Sequence, residues 1–98
     1  MDTNKAAKIF KALSNPNRLE LYLKIAEATE SSFETKGECF VTDIISSLNI
    51  GAPTISHHIK ELVNADLIST EKKGKFLICR VNEALVEEVS KMLSLQRK

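Results

Sequence analysis

The stretch Pro53–Val81, PTISHHIKELVNADLISTEKKGKFLICRV, constrains the fold of this chain more than any other. Ile55, Ile59, Leu62 and Val63 follow one another at intervals of four, three and one, a single apolar stripe at helical period. The spacing predicts a helix over Pro53–Ala65. On that helix His57 and Lys60 point away from the stripe, and Thr54 and Ser56 stand on its flanks. Hydroxyl, imidazole and ammonium groups of this reach suit the donor and acceptor pattern of base edges in a major groove. His58 falls on the flank of the stripe, which predicts a partly buried ring hydrogen-bonded within the domain.

Leu67–Lys73 and Lys75–Val81 then read as two strands joined at Gly74. In the second strand Leu77, Cys79 and Val81 alternate with Phe76, Ile78 and Arg80. A helix with a polar outer face followed by a basic hairpin is the outline of a winged helix-turn-helix. Lys72, Lys73 and Lys75 flank the hairpin tip, placed to neutralise backbone phosphates, a contact that positions a protein without specifying sequence. Arg80 is equally suited to pair with an acidic neighbour.

The remaining elements agree with this outline. Thr3–Leu13 reads as a helix with Ala6, Ile9, Phe10 and Leu13 on one side and Lys5, Lys8 and Lys11 around it. Asn15 caps the next helix and Pro16 suits its first position, where no amide donor is needed. That helix, Pro16 to about Ala28, is apolar on nearly all sides and reads as a central, buried element. Glu30–Glu38 is polar and reads as a loop. Cys39-Phe40-Val41 suggests a short strand, and Thr42 caps a helix running to Leu48, with Asp43 in its first turn. Asn49–Ala52 is the turn, Gly51 being available for a positive φ. Gly51 and Ala52 cap poorly, so the helix opening at Pro53 offers amide donors to phosphate or to water. Asn82–Arg97 reads as an amphipathic helix with Leu85, Val89, Met92 and Leu93 in line and Val86 widening the stripe. Such a terminal helix packs either on its own core or against a second chain.

The expected class is thus mainly α with a small β-hairpin, in the order α-α-(short β)-α-α-β-β-α. The 98 residues make one domain, with the helix-turn-helix at 42–65 and the wing at 67–81. A chain this short buries a modest core, which leaves apolar surface for association.

The net charge of +1 is uninformative until it is resolved along the chain. Met1–Ile25 carries +3, Ala26–Gly51 −4, Ala52–Val81 +2, and the segment from Asn82 balances. Positive charge is concentrated on the two segments that would face a duplex. No run approaches the roughly 18 apolar residues of a membrane span. The N-terminus lacks the apolar core of a signal peptide, and two cysteines without an export signal point to a reducing cytosol. No nucleophile stands at a recognisable spacing from a base and an orienting acid, and three glycines leave little for a phosphate-cradling loop, so no enzyme is expected.

The run Ile55-Ser56-His57-His58-Ile59-Lys60, with Leu62, Ala65, Leu67-Ile68, Gly74-Lys75 and Val81, resembles the ArsR/SmtB family of small bacterial and archaeal repressors. Upstream, Ala12-Leu13-Ser14-Asn15-Pro16-Asn17-Arg18-Leu19 is similar to the first helix junction of that family. The resemblance implies a cytoplasmic homodimer on a double-stranded, pseudo-palindromic operator. Its dimerisation helices would be 3–13 and 82–97. It also implies a phosphate contact by Arg18, for which an ion pair or a solvated cation is an equal alternative. The family's thiolate metal site is a Cys-Val-Cys-Asp run, and the matching residues here are Phe40-Val41-Thr42-Asp43. Its other site needs aspartate and histidine on the last helix, which has neither. Hence neither a metal site nor a cofactor is expected, and the inducer stays unassigned. The loop at Ser31–Glu38 is longer than the family's usual link.

Two other readings compete. Winged helices also serve as protein-interaction modules, for which the acidic Glu30–Glu38 loop is an argument. A thiol-responsive regulator would use Cys39, in a polar setting, whereas Cys79 reads as a small packed hydrophobe. The sequence gives no reason to bring the two sulfurs within bonding distance.

Overall fold

A computed structural model describes residues 1–31, 39–40, 51–74 and 76–94. Its elements are α1 (Thr3–Leu13), α2 (Pro16–Ser31), β1 (Cys39–Phe40), α3 (Ala52–Asn64), β2 (Ile68–Lys73), β3 (Phe76–Val81) and α4 (Glu83–Leu93). The helix expected over Thr42–Leu48 lies outside the described residues.

Each helix start has a local cause. Asp2 accepts from the Lys5 amide at 2.7 Å, capping α1. Asn15 accepts from the amides of Asn17 at 2.9 Å and Arg18 at 3.1 Å, which caps α2 as its sequence foretells. Gly51 precedes α3 with φ −66° and no side-chain cap, so the positive φ expected there is not used. The backbone enters α3 extended, and Ile55 closes the first turn onto the Gly51 carbonyl at 3.1 Å.

The exit from α3 demands an unusual conformation. Asp66 has φ +62°. Its amide donates to the Val63 carbonyl at 2.9 Å, and that of Leu67 to the Leu62 carbonyl at 3.1 Å. Together they form a Schellman closure, in which the left-handed residue is usually glycine. The chain then enters β2, reverses at Gly74 (φ +59°) and returns as β3. Asn82 fastens the end of this wing. Its side-chain Oδ1 caps α4 by accepting from the Leu85 amide at 3.2 Å, while its side-chain Nδ2 donates to the Asp66 carbonyl at 2.9 Å.

The sheet has the order β1-β3-β2, antiparallel throughout, with β3 in the centre. Ile9, Leu21, Ile25, Ile55, Leu62 and Cys79 are buried to 1 % exposure or less in one core that joins α1, α2 and α3 to the wing and takes in Leu85 of α4. Ile78, on the face of β3 opposite Cys79, is buried as completely, so the central strand does not alternate between inside and outside.

Other boundaries differ from the sequence expectation. α2 runs to Ser31, three residues beyond the Ala28 expected as its end. Glu27, Ala28 and Glu30 all favour helix, which outweighs the weaker propensity of Thr29 among them. Positions 32–38 lie outside the described residues. The helix is also less enclosed than its composition suggests. Leu21 and Ile25 are buried, but Leu19 is 37 % exposed and Leu23, one turn on, 55 %. β2 starts at Ile68 rather than Leu67, and α4 ends at Leu93, with Ser94 extended at ψ 138°.

Candidate nucleic-acid interface

α3 divides cleanly into two faces. Ile55, His58, Ile59 and Leu62 are buried against the core, whereas Thr54, Ser56, His57 and Lys60 are all exposed. Among the described residues, none of these four side chains makes a hydrogen bond or ion pair. The absence of a side-chain cap at Gly51 leaves the first amides of α3 without a side-chain acceptor.

The inner face is fixed by a polar link that the sequence shows only in part. Arg18, half-buried, donates from Nη1 to the Ala12 carbonyl at 3.2 Å and from Nε to His58 Nδ1 at a long 3.4 Å. One guanidinium thereby ties the end of α1 and the start of α2 to α3. The group expected at a phosphate is thus turned towards the domain interior. Because Nδ1 accepts, the neutral His58 ring carries its proton on Nε2, a buried atom with no partner among the described residues. Burial pushes the His58 pKa below its ordinary value, and the Arg18 and His57 charges push it the same way. His58 is therefore the internal histidine that its place on the stripe predicts, and His57, with its ring centroid 6.0 Å away, the external one.

On the wing, every β2 residue after Ile68 is exposed, Lys72 and Lys73 included. Lys75 lies outside the described residues. Arg80 takes the alternative that its sequence left open, donating to Glu71 at 2.7 Å across the hairpin. With both side chains more than a third exposed, that pair contributes at most about 1 kcal/mol. A basic cleft of about 230 Å³ lies between α1 and the end of α3, with Lys8, Lys11 and Arg18 beside Glu61 and Asn64. The helical spacing of Lys8 and Lys11 was visible in the sequence; that α1 packs where they flank α3 was not.

Among the described residues, no three His, Cys, Asp or Glu side chains gather as a metal would require. No described helix is long and apolar enough to cross a membrane.

A capped helical pair, an α3 with one face committed to the core and one to solvent, and a basic hairpin define a winged helix-turn-helix DNA-binding domain. Residues 15–70 match the bacterial regulatory protein, arsR family. The transcriptional repressor SdpR of Bacillus subtilis is 34 % identical over 80 residues, 82 % of this chain and 79 % of that one. The crystal structure of the transcriptional repressor BigR from Xylella fastidiosa superposes with a TM-score of 0.66 at 28 % identity, covering 95 % of this chain and 90 % of that one. A homodimeric winged helix-turn-helix DNA-binding domain from Mycobacterium bovis, solved by NMR, superposes with a TM-score of 0.69 at 21 % identity. That match covers 91 % of this chain and 75 % of the other. The chain belongs to the arsR family of bacterial regulatory proteins, and is a DNA-binding transcriptional regulator.

Proposed function

We propose that this protein is a cytoplasmic repressor that binds a pseudo-palindromic operator as a homodimer. The observation that carries the reading is the uncommitted outer face of α3. Thr54, Ser56, His57 and Lys60 are solvent-exposed on a helix whose other face is locked into the core. Thr54, Ser56 and His57 would meet base edges in the major groove, with Lys60 at their margin. Lys72, Lys73 and Lys75 would lie on flanking phosphates, and the uncapped amides of α3 would add a further phosphate contact. Arg18 enters this scheme chiefly by holding α3 in position, with Lys8 and Lys11 extending the positive surface beside it.

Apolar surface supports the dimer. Phe10 on α1, Leu19 and Leu23 on α2, and Val86, Met92 and Leu93 on α4 are each at least 36 % exposed. A groove of about 360 Å³ lined by Tyr22, Ala26, Val81 and Val86 continues that surface between α2 and α4. Exposed apolar side chains in this number on so small a domain mark an association surface.

Fluorescence anisotropy on DNA from upstream of the protein's own gene, against a scrambled duplex and at two salt concentrations, tests the proposal. Tight, sequence-selective and salt-dependent binding is expected. Equal or absent affinity for both duplexes, together with a heteromeric partner in a pull-down, would favour the interaction-module reading instead.

A further inference from the structure

We propose that the groove between α2 and α4 binds a small organic ammonium ion with an apolar body, and that this cation is the effector of the regulator. The groove, of about 360 Å³, falls within the roughly 300–1,000 Å³ of small-molecule pockets. Its walls are apolar, with Ala26 from α2, Val86 from α4 and Val81 from the end of β3. Tyr22 also lines it and is only 9 % exposed, yet its hydroxyl has no hydrogen-bond partner among the described residues. A buried phenol ordinarily has one, so this hydroxyl is left for an occupant. Burial raises the Tyr22 pKa, which keeps the phenol neutral.

The charge of the rim selects the occupant. Glu83 and Glu87 stand one turn apart on α4 and both line the groove. Glu83 makes no hydrogen bond or ion pair among the described residues. Glu87 has Lys91 at 3.5 Å, but both side chains are at least 70 % exposed and water screens the contact. No lysine, arginine or histidine lines the groove among the described residues. Two carboxylates reject an anion, and apolar walls offer nothing to an ion without a carbon body. An organic ammonium suits both parts. Its N–H groups donate to the carboxylates and the phenol oxygen, its charge meets the Tyr22 ring, and its carbon chain covers Ala26, Val81 and Val86. The side chains that suit a second copy, Met92 and Leu93, lie beyond the groove at the end of α4. The site stands on this geometry alone, whereas the role of its occupant as effector rests on the chain being a DNA-binding repressor. Tyr22 is one turn beyond Arg18, which holds α3 through His58, and Asn82 ties the start of α4 to the exit of α3. An occupant between α2 and α4 therefore bears on both supports of α3.

Tyr22 is the only tyrosine and the chain has no tryptophan, so its fluorescence reports on this groove. The test titrates the full-length protein at neutral pH with hexylamine, which is protonated there. Hexanol and hexanoate, which share its carbon chain, are run at equal ionic strength. A saturable change in Tyr22 emission is expected with the amine, with affinity weaker by about tenfold or more for the alcohol and no binding of the acid. Glu83→Gln combined with Glu87→Gln should lower amine affinity by about tenfold or more and leave the unfolding midpoint in place, since both side chains are exposed. Operator affinity, followed in parallel by anisotropy, should change by about fivefold or more at saturating amine. No saturable signal, equal affinity for amine and alcohol, or an unaffected glutamine variant would overturn the cation site. Binding confined to a monomer, made by Met92→Glu with Leu93→Glu, would assign the groove to a second copy and overturn it as well. Amine binding that leaves operator affinity unchanged would overturn the effector role. A protein with no operator affinity at all would instead fail the repressor reading, and the fluorescence result would stand apart from it.

Discussion

Ile55, Ile59, Leu62 and Val63 on α3 and Leu85, Val89, Met92 and Leu93 on α4 carry the same apolar spacing, residue for residue. Their fates differ. On α3 the stripe is spent, with Ile55 and Leu62 fully buried and Ile59 at 6 %. On α4 only Leu85 is buried to that degree; Met92 stays 44 % exposed and Leu93 63 %. Identical periodicity thus specifies a helix with an apolar side, and the surrounding chain decides whether that side is satisfied internally. What is left over differs in kind, a polar face on α3 for a polar partner and an apolar one on α4 for an apolar partner.

The largest effect that tests this contrast is expected at α4. Met92→Glu combined with Leu93→Glu places charges where the proposed dimer would need apolar contact, about 1.5–3 kcal/mol for each side chain that dimerisation would bury. Sedimentation should show dissociation by a hundredfold or more, with the monomer still folded. A dimer unaffected by both changes would assign the stripe to something else. Next, Leu62→Ala should destabilise the monomer fold by about 2–5 kcal/mol in denaturant unfolding, as deletion from a closed core does. A loss below about 1 kcal/mol would show that the α3 stripe is no more committed than that of α4.

The polar link beneath α3 predicts a pH dependence. The folded-state pKa of His58 lies below its ordinary 6.5, so the unfolded chain binds the proton more readily. The stability this residue contributes is complete above that ordinary value and is lost as pH falls from it towards the lower folded-state pKa. Unfolding midpoints should therefore decline on acidification across this window, and His58→Leu should flatten the decline while removing a buried donor that has no partner among the described residues. The smallest effect concerns the turn out of α3. Asp66→Gly relieves a left-handed residue, worth about 1–2 kcal/mol, against about 0.4–1 kcal/mol lost to the greater freedom of glycine in the unfolded chain, so a small net rise in the thermal midpoint is expected.

The sequence was most informative where local chemistry alone decides. Pro53 and the stripe placed α3 to within a residue, Gly74 placed the hairpin turn, and Asn15-Pro16 the start of α2. It was least informative where the outcome depends on a distant segment. Leu19 and Leu23 look like core because apolar composition does not reveal that the domain leaves one side of α2 uncovered. Arg18 looks like a surface cation until the Ala12 carbonyl and His58 are brought beside it. The Cys39–Cys79 register belongs to a two-residue strand whose pairing only the tertiary structure fixes. At the interface itself, the separation of His57 from His58 followed from helical period, and the structure places one outside and one inside.

The most direct test of the account compares His57→Ala with Lys72→Ala by anisotropy on the operator and on a scrambled duplex, across a salt series. His57→Ala should weaken operator binding by about 1–3 kcal/mol and narrow the preference for operator over scramble. Lys72→Ala should weaken both duplexes alike and reduce the salt slope by about one. The reverse pattern, with preference carried by Lys72 and uniform affinity by His57, would contradict the placement of α3 in the groove and of the wing on the backbone.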